Sequence, residues 1–171
     1  MFEGGETSGL TVNTVLNYTL IAEPIAQFAS IFMVRYFGRK TILIIYAFSV
    51  ALMDALLAFF DLTNTNVPIV VVLIALLFAQ DCFGVPVLGL YAIEVTNNAS
   101  LGMLQLYTNI FMSIVGFMMP YLIRGVSVPI LYFVFAGITF LHGVYIIFVI
   151  KETAHLTDKE KKEVYAPKKN E

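Results

Sequence analysis

Three carboxylates and one histidine fall inside long apolar stretches of this chain: Glu23, Asp54, Asp81 and His142. Glu23 and Asp81 sit almost at the middle of theirs. A charged side chain at the centre of a bilayer costs about 3 kcal/mol on insertion scales, so such residues face a bundle interior, a water-filled cavity or another subunit. No Lys or Arg lies in these stretches to pair with them. The acids must then be protonated, wetted, paired with His142 or matched by a cation on another chain. One reading makes Glu23, Asp81 and His142, with Asp54 as a further candidate, a proton-coupling or substrate cluster. A second has protonated carboxyls bonded to neighbouring helices, including backbone freed by Pro24 and Pro86. A third is contact with a foreign subunit. The residues alone leave all three open. Gln80-Asp81-Cys82 lacks metal-ligand spacing, and no metal or cofactor is expected. Ser49, Thr108, Ser113 and Thr139 are isolated, with no nucleophile and base in sequence reach, so an enzyme is not expected.

The elements that must position these groups are membrane helices. Five apolar stretches run over roughly Val15–Val34, Thr41–Phe60, Pro68–Tyr91, Leu101–Ile123 and Val128–Ile150. At 1.5 Å per residue, about 20 residues cross a hydrocarbon core of about 30 Å. Hydrophobic residues make up 59% of the 171, and the mean hydropathy is +0.85. Strands of a barrel would instead show short alternating segments. The expected fold is all-α: a polytopic membrane protein with five transmembrane helices over residues 15–150, a short polar N-terminus over 1–14 and a charged tail over 151–171. Cys82 is the single cysteine, which excludes a disulfide framework. Ala22, Ala26 and Ser30 form a small-residue stripe that lets another helix approach closely. Gly84-x-Pro86 predicts a break or kink in the third span, and Gly116 with Pro120 a bend in the fourth.

With five crossings, nine of the ten basic residues fall on one side. Arg35, Arg39 and Lys40 occupy the first connection. Lys151, Lys159, Lys161, Lys162, Lys168 and Lys169 lie in the tail, and Arg124 alone falls opposite. The positive-inside rule puts the first connection and the tail inside and the N-terminus outside. Basic residues interleaved with Asp and Glu beside a membrane leave no nucleic-acid footprint. The acidic, glycine-bearing Met1–Leu10 does not read as a cleavable signal. An initiating Met on a short chain reads as a natural small protein.

The segment Arg35-Tyr36-Phe37-Gly38-Arg39-Lys40 joins the first two spans. In it, Gly38, Arg39 and Lys40 match the inner loop Asp-Arg-x-Gly-Arg-Arg/Lys of the sugar porters. Gly84, Pro86, Tyr91 and Glu94 are similar to that family's tenth-helix pattern Gly-Pro-x-Pro-Trp-x-Tyr-x-x-Glu, with one residue of slack at Gly84. Glu152-Thr153 after the last span resembles its Pro-Glu-Thr-Lys-Gly element, and Leu156 and Glu160 echo the family's next positions. Together, over roughly Thr11 to Val164, the chain resembles the eighth to twelfth helices of a major facilitator superfamily sugar porter. The resemblance implies an inner-face charge network built on Gly38, Arg39, Lys40, Glu94 and Glu152, and a helix break at Gly84 and Pro86.

The departures shape the functional expectation. A whole porter has two halves that rock about a site between them, and the family's first half and seventh helix have no counterpart here. The family's tenth-helix Trp falls at Gly89 and its second Pro at Leu88. Its acidic position and next Arg in the inner loop fall at Arg35 and Tyr36. The Pro and Arg after the glutamate fall at Asn97 and Leu101, so Glu94 loses its usual partner and the network is thinned. The chain alone is therefore not expected to hold a small-molecule substrate. The expected role is a non-transporting accessory subunit of a larger membrane complex, partnered by other membrane subunits and lipid. A mitochondrial respiratory assembly of the inner membrane is the favoured host. The alternative is a half-transporter or fragment of a sugar porter that moves solute across a membrane such as the plasma membrane.

Overall fold

The computed structural model describes residues 12–63, 65–96 and 98–163. Those residues are helical with short connections and no strand. The helices are α1 (Val12–Tyr36), α2 (Arg39–Leu62), α3 (Asn66–Ala79), α4 (Val85–Val95), α5 (Asn98–Gly125), α6 (Val128–Val149) and α7 (Asp158–Glu163). A π-helical turn, Gln80–Gly84, joins α3 to α4 without a break. Four segments among the described residues are long and apolar enough to cross a membrane: Arg39–Leu62, Val70–Val95, Ala99–Gly125 and Val128–Val149. Most of the expected polar N-terminus and the tail beyond residue 163 lie outside the described residues.

The central element is α2, which packs along α6 and also against α3 and the π turn. Glycine permits the closest approach between α2 and α6. A Cβ on Gly143 would lie 3.2 Å from the Ala47 Cβ and 3.3 Å from the Phe48 ring. One core group joins Ile42, Leu43 and Ala47 of α2 to Val87 and Tyr91 of α4 and Ile146 of α6. A second joins Val50 and Leu57 of α2 to Leu76 of α3, with Tyr132 of α6 against it. The small-residue stripe of α1 lies inward in part: Ala26 and Ser30 are buried and Ala22 is half-buried. That helix packs on α3, the π turn and α4.

The third span carries its π turn just before Pro86. Proline has no N–H to donate and its ring crowds the preceding turn, and a π turn absorbs the mismatch by one wider loop of backbone. Gly84 closes that turn under the ring of Tyr46, where a Cβ would lie 2.5 Å from the ring edge. In the tail a short helix starts at Asp158. The Glu152 side chain takes up the amides of Thr153 and Ala154, and His155 adopts φ 67°, so the backbone cannot coil there.

Helix α5 stands apart. None of its apolar span is buried, and among the described residues its main contact is with α4. Gln105, Thr108, Asn109 and Ser113 lie exposed along it. Thr108 and Ser113 donate to the carbonyls of Leu104 and Asn109, and the Gln105 amide reaches Asn109 Oδ1 at 3.4 Å.

Candidate functional site

Two glutamates organise the end of the bundle where α2 begins and α4 and α6 finish. Gly38 precedes α2 in an extended conformation and has no side chain with which to cap it. Glu152, from the far end of the chain, fills that role. Its Oε1 accepts from the Arg39 amide at 2.9 Å and its Oε2 from the Lys40 amide at 3.1 Å. The same Oε1 accepts from the amides of Thr153 (3.0 Å) and Ala154 (2.9 Å). A carboxylate belongs here because the first amides of a helix are unpaired and carry the positive end of its dipole. A Cβ at Gly38 would overlap Glu152 Oε2, so any side chain there displaces the carboxylate.

Glu94, in the last turn of α4, is the second anchor. Arg39 Nη2 lies 3.1 Å from its Oε1, and Lys161 Nζ approaches the same oxygen at 3.0 Å. The hydroxyl of fully buried Thr153 donates to Oε2 at 2.7 Å. The carboxylate is 9% exposed, so its two cations act with little screening by water. Two further bonds tie in α6 and the residues just after it. Lys40 Nζ donates to the carbonyl of Ile147 at 2.7 Å, a cation on the negative end of a helix. The Tyr91 hydroxyl donates to the carbonyl of Lys151 at 3.0 Å. The result is a clamp that joins α2, α4, α6 and α7 through charged side chains.

Lys161 reaches the clamp because α7 is set by its own cap. The Thr157 amide and hydroxyl both donate to Glu160 Oε2, at 2.8 and 2.6 Å, and the Glu160 amide returns a bond to Thr157 Oγ1 at 3.4 Å. This reciprocal arrangement satisfies two amides that a short helix would otherwise leave open. The hydroxyl and amide of Thr157 hold the Glu160 carboxyl below the usual carboxylate range.

The four intramembrane candidates are dispersed. Glu23 is exposed on α1, Asp81 is half-buried in the π turn and His142 is exposed on α6. Asp54 is 7% exposed on α2, one turn from Val50 and Leu57 in the second core group. No hydrogen bond or ion pair joins any of these four to another. The family-pattern residues Gly38, Arg39, Lys40, Glu94 and Glu152 do meet in space, while Gly84 and Pro86 flank the end of the π turn. Leu101 brings no charge to Glu94, as the sequence suggests, yet Arg39 and Lys161 both pair with that carboxylate. The sequence reading did not assign Lys161 to the site, because 67 residues separate it from Glu94. The one local signal was Thr157-x-x-Glu160, whose spacing announces the helix that carries the lysine.

A cleft of about 270 Å³ opens between α4 and α5, lined by Leu88, Tyr91, Ala92, Val95, Thr96, Leu104 and Thr108. Its hydroxyls are already committed: Thr96 donates to the Ala92 carbonyl, Thr108 to Leu104 and Tyr91 to Lys151. What remains is mostly apolar wall, with few groups to hydrogen-bond a polyol.

A long apolar helical bundle clamped at one end by charged side chains is an integral membrane protein. The sequence matches the family described as sugar (and other) transporter over residues 6–165. The chain belongs to that family, which is one of transporters rather than enzymes. No curated protein and no solved structure matches the chain.

Proposed function

We propose that this chain is one half of a transmembrane solute carrier of the sugar-porter kind, working when a complementary membrane half covers α5 and α1. On this reading α1 supplies a fifth crossing, the chain corresponds to the carboxy-terminal half, and the clamp faces the inner side. The observation that carries the reading is the clamp: Glu94 holds Arg39, Lys161 and Thr153, while Glu152 holds the start of α2. In the family such a network gates the inner face.

A second reading, the non-transporting accessory subunit, draws on the substitutions at Leu88, Gly89 and Leu101 and on the absence of Trp. Its host is a large assembly of the mitochondrial inner membrane, whereas the transport reading suits a plasma membrane. Gentle detergent extraction, native-size separation and sugar uptake in liposomes separate the two. Carrier function requires uptake in liposomes holding the chain with its co-purifying half, and loss of uptake on Glu94→Gln. Co-migration with an assembly many times 19 kDa, with no uptake, overturns it in favour of the accessory subunit.

A further inference from the structure

Thr157 holds a position with consequences beyond its own helix. It is exposed, it lies in the connection after α6, and carboxylates stand at the first and third positions after it, Asp158 and Glu160. Its hydroxyl and amide both hold Glu160 Oε2, and its carbonyl accepts from the Lys161 amide at 2.9 Å. Lys161 in turn places its ammonium 3.0 Å from Glu94. One hydroxyl therefore sets the short helix whose lysine completes the clamp. Upstream in the connection, the Glu152 side chain takes the Thr153 and Ala154 amides and His155 is in a left-handed turn.

We propose that Thr157 is a phosphorylation site whose modification by an acid-directed protein kinase releases Lys161 from Glu94 and loosens the clamp. The proposal rests on the clamp being a gate only for its effect on transport; the release itself needs no such reading. In the step, Thr157 Oγ attacks the γ-phosphorus of a nucleoside triphosphate. The new O–P bond forms as the bond from that phosphorus to the bridging oxygen breaks. The nucleoside diphosphate leaves, and the hydroxyl proton passes to the kinase's base. Carboxylates at the first and third positions after the hydroxyl suit a kinase with a basic substrate groove.

Two effects act in one direction. Phosphorylation removes the hydroxyl donor and sets a near-dianion where Glu160 Oε2 now lies 2.6 Å away, so the reciprocal cap is replaced by repulsion. The phosphate also stands one helical turn before Lys161 and competes with Glu94 for its ammonium. Against these runs the attraction of a phosphate for helix-terminal amides. Glu160 already neutralises that end, so repulsion prevails.

The test uses the full chain in detergent or liposomes, treated with an acid-directed kinase and ATP, then with trypsin. Mass spectrometry should find phosphate on Thr157, and cleavage after Lys161 should accelerate about tenfold over cleavage after Lys151, because the ammonium leaves its ion pair. Thr157→Glu should reproduce the faster cleavage, Thr157→Val should give about half the effect on a logarithmic scale, and Thr157→Ser should give none. Glu160→Gln added to Thr157→Glu should restore part of the protection. Phosphate found only elsewhere, or cleavage after Lys161 that is unchanged or slower in the phosphorylated chain and in Thr157→Glu, overturns the proposal. Faster cleavage without any change in sugar uptake upholds the site and counts instead against the carrier reading.

Discussion

Gly38 and Glu152 form the most constrained pair of residues, because one carboxylate serves four amides from two segments. Gly38→Ala drives a methyl group into Glu152 Oε2, so the carboxylate must leave the start of α2. The expected cost is about 2 kcal/mol, combining a lost cap and a lost charge–dipole interaction, read as a lower unfolding midpoint in detergent. Glu152→Gln should cost about half as much, since the amide oxygen still accepts but carries no charge. At Glu94 the same reasoning predicts coupling. Glu94→Gln leaves two cations beside a neutral group and should cost about 2–3 kcal/mol. Lys161→Met should cost less, because Arg39 and Thr153 still serve the carboxylate. A double-mutant cycle of the two should return about 1 kcal/mol of interaction energy, and additive effects would refute the pairing. The family pattern made Gly38, Arg39, Lys40, Glu94 and Glu152 legible as site residues. Lys161 was not, since its lever is the fold of the tail rather than any spacing.

At the scale of elements, hydropathy marked five crossings, of which the last four stand among the described residues as spans, because a helix is the one way an isolated segment satisfies its backbone in lipid. Boundaries and irregularities needed the neighbours. Gly84-x-Pro86 announced a disturbance, but its form as a π turn under Tyr46 depends on where α2 lies. Glycines that look alike in sequence separate in the structure. Gly143 faces Ala47 and Phe48 across the α2–α6 contact, whereas nothing lies within 4 Å of a Cβ built on Gly137. Gly143→Ala should therefore cost about 1 kcal/mol by pushing the two helices apart. Gly137→Ala should be neutral or stabilising by about 0.5 kcal/mol, since alanine is the better helix former. Thermal unfolding of both variants in one detergent checks the contrast, and equal effects would count against the packing of α6 on α2.

For the whole molecule, the decisive feature is α5, along which Gln105, Asn109 and Ser113 lie exposed. Replacing Gln105 and Asn109 together by Leu should leave the isolated chain's unfolding midpoint unchanged within about 0.5 kcal/mol, because both side chains are exposed. The same variant should lose co-purification of the complementary half or lose uptake, since amides in a membrane interface bond across helices at about 1 kcal/mol each. Retained assembly and uptake would place that half elsewhere. The sequence by itself determined the apolar helices and the side on which charge gathers, because these depend on the length of apolar runs and on which segments lipid rejects. Only the tertiary structure decided which charges meet. Glu94 and Lys161 lie 67 residues apart, and Glu152 and Arg39 lie 113 apart. Only the packing of α6 along α2 and the turn of the chain after α6 bring such distant groups within hydrogen-bond reach.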